Sequence, residues 1–320
     1  MGIAGLLYLI TGGYGAGPWT RCLYVLSVIY ATFLWHYLRR QNFEIYQIFF
    51  FLAFFHFAVR FLRTSVRRHA QFAWFFLAGL VLIKLSFIVY VPVFALAVYS
   101  HLPIKNRKQA LILQCLMPSA LICFSQAYVN WFKFGSIFLT GYQQSDLGLH
   151  WTPKTPFEAT VSILWSQKRS VFLYFPPLLF ALFSYRLSFK RFRTESLFIL
   201  GIFLAHFISL INYAGWDGGG SGGYGPRYLV VILPVLSLPF LFMLTDLKSR
   251  LPSFPAFAKA LPVLACLVFS SVLQWNYGLL GFEWRSGFIL PATRQSNNLA
   301  IPWLYRSHDA YLVMRLRESV

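Results

Sequence analysis

Apolar runs of about 20 residues follow one another along this chain, divided by short clusters of lysine and arginine. No other feature restricts the fold as strongly. A helix needs about 20 mostly apolar residues to cross the hydrocarbon core of a bilayer, and it satisfies its own backbone on the way. A soluble domain must instead cover its surface with polar groups, and about a quarter of its residues are charged. Here 12% are charged and 58% are hydrophobic, which excludes an ordinary soluble domain. The pattern predicts an all-α fold, a polytopic transmembrane helical bundle of about 8–10 spans or half-spans.

The clearest spans are Arg21–Leu38, Phe43–Leu62, Ala110–Trp131, Val171–Leu187, Ser196–Tyr213 and Tyr228–Thr245, with a last one starting over Leu261–Trp275. Pro234 and Pro239 are expected to kink the span that holds them, leaving backbone groups for neighbours to satisfy. Residues 72–100 are too long for one upright helix. They read as two shorter helices with Lys84 near the turn between them. Residues 132–170 carry glycines and prolines and read as too irregular to cross lipid. The expected organisation is a transmembrane domain over residues 1–275 with non-cytoplasmic loops at 132–170 and 214–227, followed by a non-cytoplasmic or interfacial tail over 276–320.

The formal net charge is +19. A nucleic-acid binder would gather its bases on one soluble face. These bases lie between apolar runs, as topology requires, because cytoplasmic loops are enriched in lysine and arginine. The segments around 63–71, 101–109, 186–195 and 246–256 are therefore assigned to the cytoplasm, with 132–170, 214–227 and 276–320 on the opposite face. The clusters at 39–40 and 63–68 flank a single span and cannot both be cytoplasmic. Cys22, Cys115, Cys123 and Cys266 lie in apolar runs without metal-ligand spacing and read as small core residues. There is no HExxH, P-loop or GxGxxG context, and no metal or cofactor is expected. His36, His56 and His206 lie inside spans and read as packing or interhelical hydrogen-bonding residues.

Two extramembrane segments concentrate polar chemistry. Asn212–Pro234 reads NYAGWDGGGSGGYGPRYLVVILP. Glycines at 218–220, 222 and 223 leave backbone N–H groups open to an anion. Asp217 supplies a carboxylate, Arg227 a planar cation suited to phosphate, and Trp216 and Tyr224 flat apolar faces. The alternative is a flexible loop with interfacial aromatics. Asn130–Trp151 reads NWFKFGSIFLTGYQQSDLGLHW, with Tyr142, Asp146 and His150 able to meet carbohydrate hydroxyls; the alternative is a solvated loop. The charge pattern puts both segments on one face. Lys84, an ammonium in an apolar stretch, either reaches the interface or meets a phosphate.

WDGGGSGGYGPRYLVVILP resembles the W-x-G-G-x-S-x-G-x-R-[YF]-L…P signature of bacterial GT-C-type membrane glycosyltransferases, near the protein-O-mannosyltransferase and aminoarabinose-transferase branch. FFLAGLVLIKLSFIVYVP at 75–92, WFKFGSIFLTGY at 131–142 and SQKRSVFLYFPPLL at 166–179 are similar to further segments of that family, in the same order. The resemblance implies sugar transfer from a polyprenyl-phosphate donor on the non-cytoplasmic face to a lipid, glycan or protein acceptor, in a bacterial inner (plasma) membrane. It implies donor-phosphate contact by Arg227 and Lys84, with Asp217 and Tyr224 beside the site. The family's catalytic acid lies in a first luminal loop, and no acidic residue precedes Glu44 here. Either Asp217 or Asp146 then serves as base, or the chain is inactive or truncated. A non-catalytic lipid-head-group binder and a transporter or flippase are the other classes considered.

Overall fold

A computed structural model shows a helical protein. It describes residues 2–39, 43–101, 109, 111–138, 155–165, 170–212 and 226–249, together with 264, 267, 268 and 270, and the structural statements below concern these. In chain order the helices are α1 (Gly2–Gly12), α2 (Pro18–Tyr30), α3 (Leu34–Arg39), α4 (Phe43–Thr64), α5 (Arg67–Ile83), α6 (Tyr90–Ser100), α7 (Met117–Phe134), α8 (Thr155–Trp165), α9 (Val171–Tyr174), α10 (Pro176–Arg191), α11 (Arg193–Ile211), α12 (Leu233–Leu236) and α13 (Leu238–Ser249). Short 3-10 turns cover Leu85–Val89 and Arg227–Leu229, and a π-turn over Ile112–Leu116 leads into α7. No strand occurs among the described residues. Phe43–Thr64, Ile112–Phe134 and Arg193–Ile211 are long and apolar enough to cross a membrane. Gly2–Gly12, Leu85–Ser100 and Leu233–Thr245 are apolar but shorter.

The chain forms two compact units. The first comprises Met1–Tyr14, Phe43–Thr152 and Tyr185–Ala214; the second comprises Gly15–Asn42, Pro153–Ser184 and Gly215–Val320.

In the first unit, α4 and α5 form an antiparallel hairpin that turns at Ser65, whose φ of 54° is left-handed. A side chain at Gly79 would overlap the ring of Phe50, so glycine is what lets the two arms close. Helix α1 lies along α4 and buries Ile3, Leu7 and Ile10. Helix α11 packs on α6, where a Cβ at Gly201 would sit 3.2 Å from Val93. Phenylalanines fill the middle, with Phe54 edge-on to Phe94 at 5.2 Å and Phe55 stacked on Phe198 at 6.2 Å. Helix α7 is different. Only 11% of the apolar stretch in Ile112–Phe134 is buried, and Leu116, Met117, Leu121 and Phe124 face outward. Pro118 explains the π-turn before it. It has no N–H for the carbonyl of Gln114, and its ring crowds that oxygen. The indole Nε1–H of Trp74 donates to the Gln114 carbonyl instead, at 2.9 Å.

One end of this unit is held by charge. Arg63 Nε donates to Glu195 Oε1 at 2.7 Å, joining the end of α4 to the start of α11. An Arg63 Nη1–H donates to the Gly13 carbonyl, and the guanidinium lies 4.6 Å from the Tyr14 ring centre and 5.3 Å from that of Phe192. Burial pushes the Tyr14 hydroxyl far above the ordinary tyrosine range, against the opposing pull of Arg63. The Phe61–His101 ring contact at 6.0 Å brings the end of α6 to the same place. The basic segments near 63–68, 101 and 190–195 therefore share one end, as the charge pattern requires.

In the second unit the expected span 21–38 is interrupted. Helix α2 stops at Tyr30 and α3 starts at Leu34. Thr32 causes the break: its hydroxyl donates to Val28 O at 2.6 Å and accepts the Leu34 N–H at 3.1 Å, competing with the helix backbone. The freed groups find distant partners. Phe33 N–H donates to Tyr174 O at 3.0 Å, and Ser270 Oγ donates to Ala31 O at 2.7 Å. The expected span 171–187 is likewise divided, because Pro176 and Pro177 cannot continue α9. The expected kinks at Pro234 and Pro239 are present. The hydroxyls of Tyr24 and Ser237 both donate to Pro234 O, at 2.6 and 3.0 Å. Inside the segment expected to be irregular, Thr155–Trp165 is a helix. Its Pro156 occupies the first turn, where a missing N–H costs nothing, and Glu158 favours the positive helix start.

Two outcomes follow. Replacing Gly79 with alanine forces Phe50 out of its packing and lowers thermal stability in detergent by about 1–3 kcal/mol. Glu195→Gln and Arg63→Met each destabilise by about 1–3 kcal/mol, less than a fully buried pair because Arg63 is partly exposed, while the double variant loses less than the sum. Thermal unfolding of the four proteins in a double-mutant cycle measures that coupling.

Candidate functional site

The end of the first unit opposite the Arg63–Glu195 pair carries a different set of residues. Helix α11 runs from Glu195 to Ile211, about 24 Å at 1.5 Å per residue, so its last turn lies at this far end. So do the start of α4 and the junction of α5 with α6.

Helix α5 ends where Lys84 turns to extended backbone, φ −153° and ψ 115°. The Lys84 N–H still donates to Leu80 O at 3.1 Å, and its carbonyl accepts from Phe87 N–H at 3.1 Å, which starts the 3-10 turn. Lys84 is thus the hinge between two helical arms, and it is half-buried. The expected break in residues 72–100 falls at this lysine. A cation there is favoured by the negative end of the α5 dipole.

One turn deeper, Tyr90 and His206 are buried and hydrogen-bonded, Oη to Nδ1 at 2.8 Å. Phe87 stacks on the imidazole at 5.8 Å, and Phe51 packs on Tyr90 at 5.7 Å. This is the interhelical role expected of His206. On α4, Glu44 and Gln47 are buried, at 5% and 7% exposure. With Phe51 they form one stripe at helical spacing, so the polar pair leads along α4 towards the Tyr90 contact. At the end of α7, Gln126 Nε2 donates to Asn130 Oδ1 at 2.9 Å, and Asn130 Nδ2 donates to Ile137 O at 3.2 Å. The buried Gln126 Oε1 has no hydrogen-bond donor among the described residues. A carboxylate, amides, a hydroxyl–imidazole pair and a lysine thus lie at one end of one unit.

Of the residues picked from the sequence, Lys84 belongs to this unit. Arg227 belongs to the second, half-buried, where it begins the Arg227–Leu229 turn after Pro226. Asp146, Asp217, Tyr142, His150, Trp216 and Tyr224 lie outside the described residues. Glu44 and Gln47 were not picked from the sequence as site residues. Their signal was a helix-spaced polar pair opening an otherwise apolar span, which also suits a solvated helix start. Among the described residues, no group of three or more His, Cys, Asp or Glu could hold a metal ion. No protein-family model, curated protein or solved structure matches the chain.

Tyr90→Phe leaves the imidazole of His206 without its hydroxyl partner. Interhelical hydrogen bonds in membranes are worth about 0.6 kcal/mol on average and about 1.7 at most, so the expected loss of stability in detergent lies in that range. Unfolding of the variant by heat, read on the intact protein, checks it.

Proposed function

We propose that the chain is an integral membrane protein with a GT-C-like polytopic helical bundle, seated in a bacterial inner membrane. It transfers a sugar from a polyprenyl-phosphate donor to a lipid, glycan or protein acceptor at the face opposite its basic end. The observation that carries this reading is Lys84, a half-buried cation at a helix break at the end of the first unit away from the Arg63–Glu195 pair. The positive-inside tendency puts the basic end in the cytoplasm and Lys84 on the other side. An ionisable residue held inside a membrane-spanning region is a functional candidate by default. The four sequence segments that resemble the GT-C family supply the reaction class.

In that reaction an acceptor hydroxyl oxygen attacks the anomeric carbon, the bond from that carbon to the donor phosphate breaks, and polyprenyl phosphate leaves with the electron pair. The acceptor proton passes to a carboxylate, assigned here to Asp217 or Asp146. The family resemblance assigns Lys84 and Arg227 to donor-phosphate contact, and the chemistry of their side chains assigns Trp216, Tyr224, Tyr142 and His150 to sugar recognition. Sugar transfer in proteoliposomes, supplied with a lipid-linked donor, is the test. A charge-assisted hydrogen bond is worth about 1.5–3 kcal/mol, so Lys84→Ala and Arg227→Ala should each lower transfer by about tenfold or more. Undiminished transfer in both variants removes the phosphate assignment. Donor binding without any transfer selects the non-catalytic head-group binder.

A further inference from the structure

We propose that the basic end of the first unit is a docking surface for anionic phospholipid head groups. Arg60, Arg67, Arg68, Lys190, Arg191 and Arg193 are all exposed there. The Arg63–Glu195 bridge gathers them, since it ties the α4–α5 turn to the α10–α11 joint. Ser188 and Ser196, whose hydroxyls lie 2.9 Å apart, fasten that joint on its other side.

Glu195 is the one carboxylate at this end among the described residues. Its side chain is 9% exposed and is engaged by Arg63. None of the six outward cations forms an ion pair among the described residues. Among the described residues this surface is therefore positive, and the one acid there is paired with Arg63.

The partner class follows from what lies beneath the charges. Arg68 is followed one turn on by Phe72, 51% exposed, and Arg193 by Leu197, also 51% exposed. At i, i+4 spacing each pair shares a helix face. A cation outermost and a bare apolar side chain one turn deeper match a head group above its acyl chains. An acidic protein or a nucleic acid would meet the charges but leave the apolar tier in water. The first turn of α5 adds to this. Arg67 and Arg68 sit at its start with no acid and no side-chain cap, where the helix dipole disfavours positive charge. A lipid phosphate relieves that repulsion.

This surface stands at the opposite end of the first unit from Lys84, so this proposal and the sugar-transfer reading can fail separately. The test titrates detergent-purified protein with phosphatidylglycerol or phosphatidylcholine and counts bound lipids by native mass spectrometry. A basic residue near an anionic surface contributes about fivefold. The triple variant Arg67→Gln/Arg68→Gln/Arg193→Gln should lower the preference for phosphatidylglycerol by about tenfold or more, allowing for partial compensation by the remaining cations. Lys133→Gln, at the far end of α7, should keep it. If the triple variant does not fold, the unaltered protein still decides the matter, because added salt should erode a preference of this origin. Equal binding of the two lipids, or a preference that survives both the triple variant and high salt, overturns the proposal.

Discussion

Hydrocarbon offers no hydrogen bonds, so every bend in an apolar chain frees backbone groups that the chain itself must satisfy. An unsatisfied buried group costs about 1–3 kcal/mol. This chain bends often, and three of the described bends are matched by a donor or acceptor distant in sequence. Pro118 releases the Gln114 carbonyl, and Trp74 takes it. The carbonyl of Pro234, between two kinks, accepts from Tyr24, 210 residues away. The break at Thr32 sends the Phe33 N–H to Tyr174 O. A local defect in one helix thereby sets where another must lie. Within each unit the defects act as specific joints in an otherwise non-directional apolar core.

Charge supplies the second constraint. The Arg63–Glu195 bridge joins side chains 132 residues apart in sequence, and the guanidinium lies against the edge-on ring pair of Tyr14 and Phe192. The aromatic faces stabilise the cation and help shield the bridge from water. With this end basic and the far end holding Glu44, Gln47, Lys84 and Asn130, the first unit is electrically polar along its helices. Such an asymmetry would mean little in a soluble bundle. In a bilayer it selects an orientation.

What the sequence makes legible depends on the kind of signal. The helical class is legible from hydropathy alone, and the break at Lys84 from length, because residues 72–100 exceed one span. Kinks at Pro234 and Pro239 are legible because proline acts through its own missing N–H. The interruption at residues 31–33 is not, since no proline or glycine marks it and a threonine hydroxyl does the work instead. Helix α8 was hidden by Pro153 and Pro156, which read as breakers when the second is a helix start. Of the candidate site, Lys84 announces itself as a charge among apolar residues. The pairing of Tyr90 with His206 spans 116 residues, and no local pattern encodes it. The residues of the 139–154 and 213–225 segments belong to stretches without periodicity, where sequence offers chemistry but no placement.

The two ends of α5 separate what serves the helix from what serves the membrane. At its end, Lys84 is placed where the dipole favours a cation and where the last carbonyls want donors, so a base there is compatible with the helix as well as with a phosphate. At its start, Arg67 and Arg68 are placed where the dipole opposes them, with no acid in the first turn to compensate. Helix stability would have put an aspartate or glutamate at those positions. The arginines fit instead the lipid surface proposed above, which prefers positive charge at that end and covers the exposed apolar tier below them. Under the proposed lipid contact, the hairpin that these arginines begin is oriented by the bilayer, and Lys84 is carried to the opposite end of α5 for reasons independent of its own charge.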